Sequence, residues 1–295
     1  MALPDSNGPR CGNVASVDVE DYYHVEAFSD IITRDSWPQH TSRVEDNTKR
    51  VLDSFDACGV RGTYFILGWV AERHPDLVRQ IQQRGHEIAC HSYWHRLIYK
   101  LSPEEFREDT RRAKAVIEDA AGVKVVGYRA PSFSMTRQCP LAAAILVEEG
   151  FTYDSSVFPV HHDVYGVADA PRYPFFLTTE SGPLLEYPMT TFRILGSGNL
   201  PVAGGGYLRL LPSWYTQIGV ERARQEGLPI LSYIHPWEFD PEQPRLPGRW
   251  KSRLRHYTNL DKTRDRLERL FRQQQFAGFR ESGLSGSSRL ETVSL

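Results

Sequence analysis

Between Val14 and Tyr153 the chain alternates short apolar runs with helix-patterned stretches, and this alternation restricts the fold more than any other feature. Val14 to Val19, Gly62 to Leu67, Glu87 to Cys90, Val123 to Tyr128 and Phe151 to Tyr153 read as buried strands. Thr48 to Cys58 spaces Val51, Leu52 and Phe55 as a helix does and stops at Gly59. Pro75 opens a helix through Gln83 that Gly85 ends. Ser102-Pro103-Glu104-Glu105 is a capping-box signature for a long helix closing near Gly122, and Leu141 to Glu149 is a helix closed by Gly150. Strands joined through helices pair in parallel, because each crossover returns the chain in the same direction. The number of units predicts a barrel rather than an open sheet.

The later chain is less regular. Leu184 to Met189 and Pro229 to Ile234 are two further predicted strands, Asp240 to Trp250 an ordered loop, and Asn259 to Gln274 a helix covering the barrel through Leu260, Leu267 and Leu270. Gly204-Gly205-Gly206-Tyr207 lacks the Lys-Ser/Thr and the helix start of a phosphate loop, so a tight turn or a close backbone approach is expected there. The predicted organisation is a flexible 1–12 and a single domain over 13–280, including a C-terminal extension from about 236. A flexible 281–295 follows, opening on the polar run Glu281 to Ser288.

Composition excludes several function classes. A net charge of −2 over 295 residues argues against a nucleic-acid binder, which needs a strong basic field. No apolar run reaches the roughly 18 residues that would read as a bilayer span. The four cysteines are scattered without a Cys-x-x-Cys pair, which excludes a disulfide framework and a cysteine-rich zinc site. The first ten residues lack the blocks of a secretory signal, and a cytoplasmic location is expected.

Asp18, Glu20, Asp21, His91, His95, Arg129 and Asp154 all fall at or just beyond the carboxyl ends of predicted strands. In a parallel barrel those ends converge on one face, where active sites are built. His91 and His95, four residues apart behind a strand, can close on one divalent cation through their ring nitrogens. Two neutral imidazoles and one carboxylate, with open positions for water, make a hydrolytic metal site. A second carboxylate there can take a proton from water, and an imidazole opposite, such as His235, can protonate a leaving amine. His24 and His86 are expected to be structural or exposed. His161-His162 lies in a loop that could line a groove, and Trp94, Trp214 and Trp237 could stack on sugar faces or pack in the core.

From Val14 to Gln274 the chain resembles the NodB-type polysaccharide deacetylases, carbohydrate esterase family 4, and within them the branch associated with exopolysaccharide and PEP-CTERM loci. The resemblance runs through Ser16-Val17-Asp18-Val19-Glu20-Asp21-Tyr22-Tyr23-His24, His91-Ser92-Tyr93-Trp94-His95, Arg129-Ala130-Pro131-Ser132-Phe133, Tyr153-Asp154-Ser155-Ser156 and Tyr233-Ile234-His235-Pro236-Trp237-Glu238. It implies a distorted (β/α) barrel that removes acetyl groups from N-acetylhexosamine units of a polysaccharide or its precursor, with Zn2+ or a similar ion. His91 and His95 then become metal ligands. Arg129 orients the catalytic carboxylate, Asp154 supports the site, and His235 is the general acid held by a neighbouring carboxylate. Pro131, Phe133 and Trp237 line the substrate groove. The first motif departs from the family's Thr-Phe-Asp-Asp. Asp18 and Glu20 share a side of the strand, with Asp21 just beyond; in this alignment Asp21 is read as the ligand and Asp18 as the base, with Glu20 a rival for either role. Two alternatives share the scaffold: an allantoinase-like small-amide hydrolase, and a non-catalytic glycan-binding relative.

Overall fold

The computed structural model describes residues 12–162, 164–194, 198–284 and 290–293. Its strands are β1 (Asn13–Val19), β2 (Thr63–Ile66), β3 (Glu87–Cys90), β4 (Gly127–Tyr128), β5 (Tyr153–Asp154), β6 (Phe175–Leu177), β7 (Leu184–Glu186), β8 (Thr191–Arg193), β9 (Asn199–Pro201), β10 (Leu231–Ile234), β11 (Phe276–Ala277) and β12 (Thr292–Val293). The main sheet runs β10-β1-β2-β3-β4-β5-β7-β6-β12, with β11 against the start of β1, and β8 and β9 form a separate hairpin. Every pair in the main sheet is parallel except β6–β7. The helices are α1 (Val44–Ala57), α2 (Gly68–Arg73), α3 (Pro75–Gln83), α4 (Pro103–Ala121), α5 (Ala142–Glu148), α6 (Gly205–Leu210), α7 (Ser213–Gln225), α8 (Trp250–Tyr257) and α9 (Thr263–Gln273).

The expected distorted (β/α) barrel is present, and the distortion has a location. No ladder joins β10 to β7. Instead Thr190 Oγ1 accepts from the Leu231 amide (2.7 Å) and donates to the Pro229 carbonyl (3.0 Å), and an isolated parallel bridge pairs Gly204 with Tyr233 of β10.

Strand alternation sorts β1 between two cores. Ala15, Val17 and Val19 face outward and pack with Val51, Leu52 and Phe55 of α1 and Val78 and Ile81 of α3. Val14 faces inward with Phe65, Ala89, Tyr153, Leu185 and Leu231. Ser16 and Asp18 follow Val14 on that inner side and reach Arg129 there. The barrel's amino-terminal end is plugged by the chain after β11. The Phe279 amide donates to Thr63 Oγ1 (2.9 Å) and the Arg280 amide to Glu87 Oε2 (3.1 Å), at the first residues of β2 and β3. The opposite, carboxyl-terminal end is left for chemistry.

The tail expected to be flexible is packed where it is described. Phe279 and Leu284 are buried in the inner core, and Thr292–Val293 pairs with β6. The polar composition of 281–288 hides one apolar side chain that fills the barrel floor. Leu284→Ala should cost about 2–5 kcal/mol, read as a lowered thermal midpoint; an unchanged midpoint would show that the floor closes without it.

The helix start at Ser102 forms the expected capping box, with Glu105 N–H on Ser102 Oγ and Ser102 N–H on Glu105 Oε2. The strand read over 123–128 shrinks to Gly127–Tyr128, where a Cβ on Gly127 would sit 2.1 Å from the Tyr153 ring. A helix does begin at Gly205, contrary to expectation. Those glycines let α6 lie on the Tyr233 ring, 2.1 Å from where a Cβ of Gly204 would stand.

His86 is structural, as expected. The Gly62 amide donates to its Nδ1 (3.1 Å), it packs on Phe55 and Tyr64, and burial pushes its pKa down to about 4. In the unfolded chain a histidine titrates near 6.5, so below that pH the unfolded state takes up the proton first. Stability present at neutral pH is therefore lost as the pH falls from about 6.5 towards 4. Thermal midpoints measured across that window should fall less steeply for His86→Gln than for the parent; parallel slopes would remove His86 from the acid response.

Candidate active site

A cavity of about 680 Å³ occupies the carboxyl-terminal end of the barrel, and Asp18, Glu20, His91, His95, Phe133, His235 and Trp237 are among its lining. The sequence after β3 builds its centre. Ser92 (φ 62°) and His95 (φ 49°) adopt left-handed backbone that non-glycine residues avoid. Asp109 of α4 holds this turn by accepting from the Tyr93 and Trp94 amides (2.8 and 3.1 Å), and Ser92 Oγ accepts from the His95 amide. The strain is spent on direction: both imidazoles face inward, with ring centroids 5.3 Å apart.

Glu20, His91 and His95 are buried, and each offers one ligand atom within 4.8 Å of the others. His91 Nδ1 donates to the Arg129 carbonyl (2.9 Å), which leaves Nε2 its lone pair. Glu20 Oε2 lies 2.8 Å from His95 Nε2. Glu20 Oε1 accepts from the Trp237 indole (3.2 Å). Burial raises the Glu20 carboxyl, but His95, His235 and His91 outweigh it and hold the group well below its ordinary range. Burial pushes His91 down to about 4, so it is a neutral donor at physiological pH. An ionised carboxylate and a neutral imidazole are what a divalent cation requires, and these residues fit one.

Asp21, expected as the ligand, is not in this group. Its Oδ2 accepts from Ser42 Oγ (2.7 Å) and from the Arg43 and Val44 amides (2.8 and 3.2 Å), and its Oδ1 from the Tyr22 amide. It caps the start of α1, whose unpaired N–H groups and positive dipole end claim the carboxylate. Glu20, on the same side as Asp18, takes the place expected of Asp21.

Arg129 meets Asp18. Fully buried, it donates to Asp18 Oδ1 (2.7 Å), Ser16 Oγ (2.9 Å), Ser155 Oγ (3.1 Å) and the Ser155 carbonyl (3.1 Å), and it lies over the Phe65 ring. Asp18 Oδ2 is left facing His235 Nε2 at 3.9 Å. On the other side His235 Nδ1 is 2.8 Å from Glu238 Oε1, and Glu238 Oε2 accepts from Arg209 Nε (2.8 Å). Burial alone would depress His235. Its hydrogen bond to Glu238 and the charges of Glu20, Glu238 and Asp18 raise it to about 9. Burial raises Glu238, while Arg209 and His235 bring it down to about 2.

Asp154 does not line the cavity. Its Oδ1 accepts from Ser156 Oγ (2.6 Å), which in turn accepts from the Ala130 amide (2.7 Å), so it steadies the loop after Arg129 from behind. Burial pushes the carboxyls of both Asp154 and Glu186 upward, and the neighbouring Asp154 charge adds to the rise at Glu186. Phe133 and Trp237 line the cavity; Pro131 is buried and does not. His162 lines it too, stacked on Tyr165 (3.9 Å), whereas Trp214 is exposed elsewhere. His24 accepts from the Asp21 amide through Nδ1 and is structural. Arg209 and Glu186 escaped the sequence reading, since a lone arginine in a helix and a lone glutamate in a strand carry no spacing signal.

The fold is a distorted parallel barrel of the NodB type, and its carboxyl end carries two imidazoles and a glutamate beside an Asp–Arg pair and a His–Glu pair. Residues 29–147 match the family model described as polysaccharide deacetylase, and residues 155–283 match a domain of unknown function, DUF3473. Over 84 residues the chain is 31% identical to a peptidoglycan-N-acetylglucosamine deacetylase of Bacillus cereus, covering 28% of this chain and 30% of that protein. The chain spans about a third or less of the length of the first curated relatives it matches. Among solved structures it shares the fold of a putative polysaccharide deacetylase from Mycobacterium smegmatis (TM-score 0.64, 22% identity, 100% of this chain and 96% of that one). It also shares the fold of an allantoinase (TM-score 0.59, 17% identity, 95% and 91%).

Proposed function

We propose that the protein is a metal-dependent N-deacetylase acting on N-acetylhexosamine units of a polysaccharide or its precursor, within the exopolysaccharide branch that its motifs resemble. The observation that carries this reading is the meeting of Glu20, His91 and His95, with Asp18 and His235 facing each other beside Glu20. Glu20, His91 and His95 would hold the cation, zinc being the first expectation for two imidazoles and a carboxylate. Once bound, that cation supplies Lewis acidity toward a carbonyl oxygen and makes water easier to deprotonate.

The residues of the chain divide the proton work. Asp18 is held by Arg129 through one oxygen, so its free Oδ2 is the base that takes the proton of the attacking water. His235, kept protonated by Glu238, gives its proton to the sugar nitrogen as the carbon–nitrogen bond breaks, so acetate and a free amine leave. Phe133 and Tyr233 form an apolar wall beside these groups and exclude water from them.

Acetate release from N-acetylglucosamine oligomers, measured with added zinc, tests the reading. Release that requires His91 supports it. Release that persists in His91→Ala overturns the metal mechanism, and no release from any N-acetylated oligomer, with hydrolysis of allantoin instead, overturns the substrate class.

A further inference from the structure

We propose that α8 and the loop leading into it dock on the surface of an anionic lipid bilayer. Trp250 and Leu254, one helical turn apart, are 70% and 60% exposed. With Tyr257 they line a shallow hollow on the protein's surface. Ile31, 46% exposed, lies against Gly248 in the loop leading into the helix, at the rim of the catalytic cavity.

The same stretch is strongly basic in a chain whose net charge is −2. Between Gln243 and Leu260 there are five cations, Arg245, Arg249, Lys251, Arg253 and Arg255, and no aspartate or glutamate. All five are exposed, and among the described residues Asp30, 3.6 Å from Arg249, is the one carboxylate in an ion pair with them.

A helix with tryptophan and leucine on its outer face and cations around them has the composition of one that lies in a membrane interface. The basic ring matches anionic headgroups. The aliphatic groups of Leu254 and Ile31 decide between a bilayer and an acidic glycan, because they gain from acyl chains what a sugar face or a carboxylate cannot supply. No helix among the described residues is long and apolar enough to cross a membrane, so α8, eight residues long, would rest on the surface. Arg249, Ser252 and Arg255 also line the catalytic cavity, so docking brings that cavity beside the headgroups.

The test is co-sedimentation of the full chain with vesicles of phosphatidylglycerol and phosphatidylcholine in equal parts, against vesicles of phosphatidylcholine alone. The parent should bind the anionic vesicles, more weakly as salt rises, with a blue-shifted tryptophan emission. Trp250→Ser with Leu254→Ser, and separately Lys251→Glu with Arg253→Glu, should each weaken binding about tenfold or more while the thermal midpoint stays put. None of these four residues lines the catalytic cavity, and vesicle binding is read without turnover. The proposal falls if the parent ignores anionic vesicles, if either double variant binds like the parent, or if the face retains alginate but no vesicle.

Discussion

Glu20→Ala should abolish tight zinc binding and lower acetate release by more than the roughly 10–100-fold that losing an outer-shell partner costs, because it removes a proposed ligand itself. Asp21→Ala should leave the zinc stoichiometry at the parent's value. The two acids are adjacent in sequence, yet the fold separates them: Glu20 meets His91 and His95, and Asp21 caps α1. Losing that cap should cost about 1–2 kcal/mol in stability. Metal content after dialysis and the thermal midpoint, measured on both variants, read the difference directly. The assignment is wrong if Asp21→Ala loses the metal while Glu20→Ala keeps it.

The second large effect is expected at His235. His235→Gln should reduce kcat about 10²–10⁴-fold, the usual span for losing a positioned general acid. Zinc content should be unaffected, since His235 stands outside the ligand group. Glu238→Gln should also lower kcat, because the imidazole would lose the charge that keeps its proton. That variant carries a separate stability cost of about 3–5 kcal/mol, because Arg209 would be left buried without its carboxylate. Steady-state kinetics with metal analysis on the same preparations separates the roles. A His235→Gln protein that loses zinc, or keeps full kcat with zinc bound, removes His235 from the acid role.

The alternation of apolar runs with capped helices was legible as a parallel barrel because each strand is short, bounded by glycine and followed by a helix. The first two strands, α3 and α4 need little beyond their own residues. Ser102 and Glu105 cap each other, and Pro75 is suited to a first helical turn. The hidden elements depend on distant partners. The chain after β11 reads as polar, and only its contacts with β2, β3 and the inner core make it the barrel floor. The α6 start at Gly204-Gly205 resembles a turn in isolation and becomes a helix entry because Tyr233 occupies the space a side chain would need.

The chain's own residues were enough to place its acids and imidazoles at strand ends, since the period of two in a strand and the direction of a crossover are local properties. Strand alternation likewise grouped Asp18 with Glu20. What the tertiary structure alone decided was the surroundings of the three acids and the partners of the imidazoles. Asp21 turned away because the amino end of α1, more than twenty residues later, comes to rest against it and supplies unpaired N–H groups. His235 holds its proton because Glu238, fixed by Arg209 from α6, closes on its far side. A carboxylate's role follows from the donors that surround it, and those donors arrive from parts of the chain that only folding brings together.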